Sequence, residues 1–158
     1  MSFDTWQKIL EGADISKVVF VGLGNKYRQD DSAGLVLLSL LKETDYFKKA
    51  NFINSGTNPE NYLEQILMYG PELVVFIDAA RFGGFPGEVK FIEQDQLNSV
   101  SISTHAFSIK MIEEYLAASL KMKFLYIGIQ PLSTDFGEEM SKEVSEGIKN
   151  FVDEYSSH

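Results

Sequence analysis

Val18-Val19-Phe20-Val21-Gly22-Leu23, running on into Gly24-Asn25, is the stretch on which the fold turns. An unbroken apolar and β-branched run closed by glycines and asparagine reads as a strand buried on both faces, as central strands of parallel sheets are. Beyond it, after a polar loop, Ala33, Leu35, Val36, Leu38 and Leu41 define a helical apolar face, with Asp30 or Asp31 placed to cap its first turn. Ahead of it, Phe3, Trp6, Ile9 and Leu10 recur at helical spacing before Gly12, which predicts a short amphipathic helix that docks on the body.

The same exchange of strand and helix continues along the chain. Ala50 to Ile53 reads as a strand, Pro59 to Met68 as a helix with proline in its first turn, and Leu73 to Ile77 as a second buried strand. Gly83-Gly84 and Pro86-Gly87 mark a turn into Glu88 to Ile92, whose alternation fits a half-exposed edge strand; its connection is too short for a crossover helix, so antiparallel pairing is open to it. Ser103 or Thr104 can cap a helix carrying Phe107, Ile109, Ile112, Tyr115 and Leu116; the strand Phe124 to Ile129 and a last helix from about Glu138 to Tyr155 follow. Right-handed crossovers then give a three-layer α/β/α sandwich around a mostly parallel sheet of about five strands, one of them an antiparallel edge. Residues 1–16 read as an amphipathic helical extension and 17–158 as one α/β domain.

Composition narrows the function. With 14 Lys and Arg against 23 Asp and Glu in 158 residues, the net charge of -9 disfavours nucleic acid and anionic lipid as partners. The absence of cysteine excludes disulfides, thiolate metal sites and a catalytic thiol, so any metal site must use oxygen and imidazole donors. No apolar run is long enough to span a bilayer and no leader pattern is visible, which predicts a cytoplasmic chain with no membrane partner. There is no GxSxG elbow, GxxxxGK[ST] loop or HExxH helix. Gly22 and Gly24 partly match a dinucleotide fingerprint, but Tyr27 stands at the third glycine position and the second strand ends at Asn54 rather than an acidic residue.

In a sandwich of this kind ligands gather beyond the carboxyl ends of the strands. Asp30 and Asp31 follow the first strand, Asp78 follows Ile77 directly, and His105 precedes a helix. Asp78 needs a donor, a cation or water, because an unpaired carboxylate is costly to bury. Asp30 reads most simply as a helix cap, with orientation of its loop or a role as base as alternatives. The other histidine, His158, is the last residue of the chain, so His105 is the imidazole left for a structured site. Two carboxylates and one imidazole form a recurrent donor set for a divalent transition metal.

Taken in order, Gly22-Leu23-Gly24-Asn25 with Asp30-Asp31 and Gly34, Ser55-Gly56-Thr57 with Pro59-Glu60-Asn61, Asp78-Ala79, Pro86-Gly87-Glu88 and Thr104-His105 resemble the hydrogenase maturation endopeptidases from about Lys17 to Phe151. Tyr126-Ile127-Gly128-Ile129-Gln130-Pro131 is most similar to the formate-hydrogenlyase-type subgroup. The resemblance implies a metal- and aspartate-dependent protease that removes a C-terminal extension from the large-subunit precursor of a NiFe hydrogenase after nickel insertion. The partner is then that precursor, which brings the nickel itself, and no organic cofactor is expected. The family's nickel-contacting positions fall on Asp31, Asp78 and His105, and its fold is a mixed five-stranded sandwich. Two departures stand out: Ser32 where the family often has glycine, and Arg81 near where it often has a second acidic residue. A nucleotide-binding α/β domain and a non-catalytic metal-recognition module of the same fold are the competing readings.

Overall fold

The computed structural model describes residues 3–99, 106–137 and 139–156. In chain order the elements are α1 (Phe3–Glu11), β1 (Val18–Leu23), α2 (Ala33–Lys42), β2 (Asn51–Gly56), α3 (Leu63–Met68), β3 (Leu73–Ala79), β4 (Val89–Ile92), α4 (Ala106–Ser119), β5 (Lys123–Ile129) and α5 (Lys142–Ser156). The strands form one five-stranded sheet in the order β2-β1-β3-β5-β4. Every pairing is parallel except that of β4 with β5, where Val89 lies opposite Ile129 and Ile92 opposite Tyr126. This is the mixed sandwich with an antiparallel edge that the alternation of elements predicts.

Strand residues alternate between two apolar layers. Val18, Phe20, Val75, Ile77 and Phe91 face α1, α2 and α5, whereas Val19, Val21, Val74, Phe76, Ile92 and Tyr126 face α3 and α4. β1 and β3 are buried along their whole length because both faces are covered. α1 is part of the first layer: Trp6 is buried, stacks on Phe91 at 4.9 Å between ring centroids, and its indole N–H donates to the Tyr155 hydroxyl at the far end of α5.

Several local expectations are revised. α2 buries Ala33, Gly34, Leu37, Leu38 and Leu41, leaving Leu35 and Val36 half-buried, because Gly34 turns the helix so that its backbone presses on the sheet. Pro59–Tyr62 form a 310 turn before α3, which is confined to Leu63–Met68. Tyr115 on α4 is exposed and its hydroxyl donates to Glu64 Oε1 at 2.9 Å. α5 begins at Lys142 rather than near Glu138, because the amide and hydroxyl of Ser141 are both taken by Asp30. The proposed caps of α4, Ser103 and Thr104, lie outside the described residues.

Candidate functional site

β1 and β3 run side by side in parallel, with Gly22 opposite Ile77, and the chain leaves β1 toward β2 on one side and β3 toward β5 on the other. The crevice at their carboxyl ends is therefore a topological switch point, where α/β sheets bind ligands. Both candidate aspartates belong to it.

Asp78 is the sixth residue of β3, paired with Gly128, and is 3% exposed. By the alternation of the strand it shares the α4-facing side with Phe76. Its Oδ1 is sealed from solvent, beside a cavity of about 10 Å³ lined by Phe76, Ala80, Ile109, Tyr126 and Gly128. A space of that size holds no more than about one water molecule. The lack of a side chain at Gly128, opposite Asp78, keeps it open.

Asp31 is 8% exposed and stands in a 310 turn, Gln29–Ser32, that packs against β3. Its carbonyl accepts from Asn25 N–H at 3.2 Å, and its own N–H donates to Arg28 O at 2.9 Å. Two glycines make this approach possible. A Cβ on Gly24, whose φ is +150°, would stand 2.2 Å from Asp31 O, and one on Gly34 would stand 2.5 Å from Leu23 O and Ile77 O and 2.9 Å from Asp78 Cα. The turn carrying Asp31 thus packs on Gly24 at the end of β1, and Gly34 beyond it on the strand end carrying Asp78, so close approach together with a positive φ accounts for Gly24.

Asp30 is not the cap of α2. That position falls to Ser32, which makes no side-chain cap bond and instead donates its hydroxyl to Gln29 O at 2.7 Å. Asp30 is fully buried and accepts from Leu132 N, Ser133 N, Ser141 N and Ser141 Oγ at 2.7 to 3.1 Å, all in the connection between β5 and α5. Charge-assisted bonds of this kind meet the solvation need of a buried carboxylate.

Further polar residues of the rim escaped the sequence reading. Gln130 is 8% exposed and its Oε1 accepts from Phe82 N at 2.9 Å and Gly84 N at 3.2 Å, fixing the loop that leaves β3. Behind the rim, the buried carboxylate of Glu113 on α4 accepts from Gln94 Nε2 and from the hydroxyl of Tyr126, whose pKa is raised first by burial and then by that bond. The available signal was a polar residue set within an otherwise apolar pattern. Arg81 is exposed, with Nη2 donating to Thr134 Oγ1 at 3.4 Å, and the guanidinium of Arg28 lies 4.2 Å from the Phe136 ring centre.

His105 lies outside the described residues. Ile109 of α4 lines the cavity beside Asp78. Among the described residues no group of three Asp, Glu or His is gathered closely enough to hold a metal ion. No helix among them is long and apolar enough to cross a membrane.

Residues 36–158 match the family model HycI, hydrogenase maturation protease, a span that includes Asp78 and begins after Asp31. The crystal structure of the NiFe hydrogenase maturation protease HycI from Thermococcus kodakarensis is similar with a TM-score of 0.81 at 30% identity, covering 98% of this chain and 99% of that one. HybD, a NiFe hydrogenase maturation protease from the same organism, is similar with a TM-score of 0.73 at 28% identity, over 89% of this chain and 97% of its own. The hydrogenase 3 maturation protease of Escherichia coli K12 is 25% identical over 134 residues, 83% of each chain. A family match over well more than half of its length, joined to a structural likeness along nearly all of it, makes this chain a member of the hydrogenase maturation protease family.

Proposed function

We propose that the protein is the endopeptidase that removes a C-terminal extension from the large-subunit precursor of a NiFe hydrogenase, and that Asp31, Asp78 and His105 engage the nickel which the precursor carries. The observation that carries this reading is the pair Asp31 and Asp78. Distant in sequence, they are two nearly buried carboxylates on adjoining loop and strand ends at the switch point of the sheet. Carboxylate oxygens at the crevice where α/β sheets bind ligands suit a cation that a substrate brings. Oxygen donors with one imidazole suit a divalent transition metal.

In this reading nickel belongs to the substrate. Its engagement ties recognition of the precursor to successful metal loading and holds the scissile peptide near the rim. A water attacks the carbonyl carbon of that peptide, its proton passing to a carboxylate of the pair, and the departing amine takes up a proton as the C–N bond breaks.

Asp31→Ala, Asp78→Ala and His105→Ala are each expected to lower processing of nickel-loaded precursor about a hundredfold or more, since removing an interaction with the reacting centre costs several kcal/mol. Processing is read by the size shift of the precursor, and folding by circular dichroism. Wild-type processing by all three folded variants would overturn the assignment.

A further inference from the structure

We infer that Asp30 and Gln130 are positioning residues: they clamp the connection between β5 and α5 against the turn that bears Asp31 and the loop that follows Asp78, so the rim is held in shape by a segment that contributes neither aspartate. The inference rests on the proposed role of Asp31 and Asp78 toward nickel.

On one side the carboxylate of Asp30 spans more than a hundred residues of sequence. Oδ2 accepts from Leu132 N at 2.8 Å, Ser133 N at 3.1 Å and Ser141 Oγ at 2.8 Å, and Oδ1 accepts from Ser141 N at 2.7 Å. Backbone bonds extend the join: Asp30 N to Ser133 O at 3.0 Å, Gln29 N to Gly137 O at 2.8 Å, and Gly137 N to Tyr27 O at 2.8 Å. Gln29 has a φ of +44°, a conformation uncommon for a side chain of its kind, which persists where its surroundings enforce it. On the other side Gln130 accepts from the amides of Phe82 and Gly84, while Gln130 N donates to Glu88 O and Gly87 N to Gln130 O, both at 2.9 Å.

Apolar burial does part of this holding: Leu132 and Phe136 are 54% and 76% exposed, while Pro131 is buried and Met140 packs against the first apolar layer. The polar latch joins the middle of the connection to the rim, and its loss should loosen the rim while leaving both apolar layers intact. Asp30 is adjacent to Asp31, so any slack is delivered directly to a proposed nickel-engaging group.

Asp30→Asn keeps the shape but turns an amide donor toward one of the four donors now satisfied. The expected result is at least tenfold faster hydrogen exchange at the amides of Leu132, Ser133 and Ser141, with the amides of β1 and β3 unchanged. Titration of the isolated protein with nickel chloride should show affinity reduced by about ten- to a hundredfold, as for other residues that orient metal ligands. Asp31→Asn supplies the contrast, losing nickel binding while the loop amides exchange as in the wild type. Ser141→Ala, which removes a single donor, should fall between wild type and Asp30→Asn in both readouts and serves alone if the latter does not fold. Faster exchange with wild-type nickel affinity, or unchanged exchange, would overturn the positioning role. A wild-type protein that neither binds nickel nor processes precursor would sink the underlying reading, an outcome told apart by exchange behaviour that still follows the latch.

Discussion

Gly34 occupies a point where the first turn of α2 touches two strand ends at once. The atoms that a Cβ would meet are the carbonyl oxygens of Leu23 and Ile77 at 2.5 Å and the Cα of Asp78 at 2.9 Å, all backbone, so no side chain can swing aside to accept it. Gly34→Ala should therefore cost about 3 kcal/mol, the upper end of overpacking penalties, measured as a shift of the urea midpoint at unchanged m. Because the displaced backbone includes Asp78, processing should fall by more than the loss of folded protein explains. At this scale the sequence was informative about which residues matter and weaker about what each does. Asp78 is legible because a carboxylate directly after the apolar run Leu73 to Ile77 is conspicuous. Asp30 reads locally as a helix cap because a short-range bond to the first turn is the nearest use for such a side chain; its donors instead lie beyond residue 130, and nothing local announces them.

At the scale of elements, α4 is anchored by more than its apolar face. Glu113 is buried on the helix with bonds from Gln94 and from Tyr126 on β5, tying three segments together beneath the cavity beside Asp78. Tyr126→Phe removes one donor from a buried carboxylate and should cost about 1 to 3 kcal/mol. Glu113→Gln, which can still accept one of the two bonds, should cost less than Glu113→Ala; thermal unfolding of the three variants checks the order. α1 is joined to the first apolar layer by Trp6, which stacks on Phe91 and donates to Tyr155. Trp6→Ala should cost about 3 to 5 kcal/mol, as large aromatic truncations in cores do, and should be felt at α5 rather than at the rim. The pattern of apolar residues was enough to find these helices, but not the rotation of α2. Its leucines are so dense that several faces look equally apolar, and the contact at Gly34 chooses among them.

For the molecule as a whole, two buried phenols give stability a dependence on alkaline pH. Tyr126 is raised above its ordinary value of 10.0 by burial and then by Glu113, and Tyr155 by burial, with the bond from Trp6 acting in the opposite sense. A raised pKa means that the folded state holds its phenolic proton more tightly than the unfolded chain. The contribution is thus complete below pH 10 and is lost as pH rises from there toward the folded values. Each tyrosine should add a slope of about 1.4 kcal/mol per pH unit over that window. Urea midpoints between pH 9 and 11 should fall, and the fall should be shallower in Tyr126→Phe and in Tyr155→Phe.

Much of the protein was determined by its sequence alone. The order of strands and helices, the edge position of β4 and the acidic residues of the rim follow from hydrophobic period, turn residues and connection length, all of which act over a few neighbours. Tertiary structure decided what depends on distant meetings: the pairing of β1 with β3 that makes the switch point, the seating of the Asp31 turn on β3, and the latch from Asp30 to the β5–α5 connection. Those arrangements turn on which donors and which bare backbone surfaces arrive from elsewhere in the chain, and that information exists only once the layers have closed.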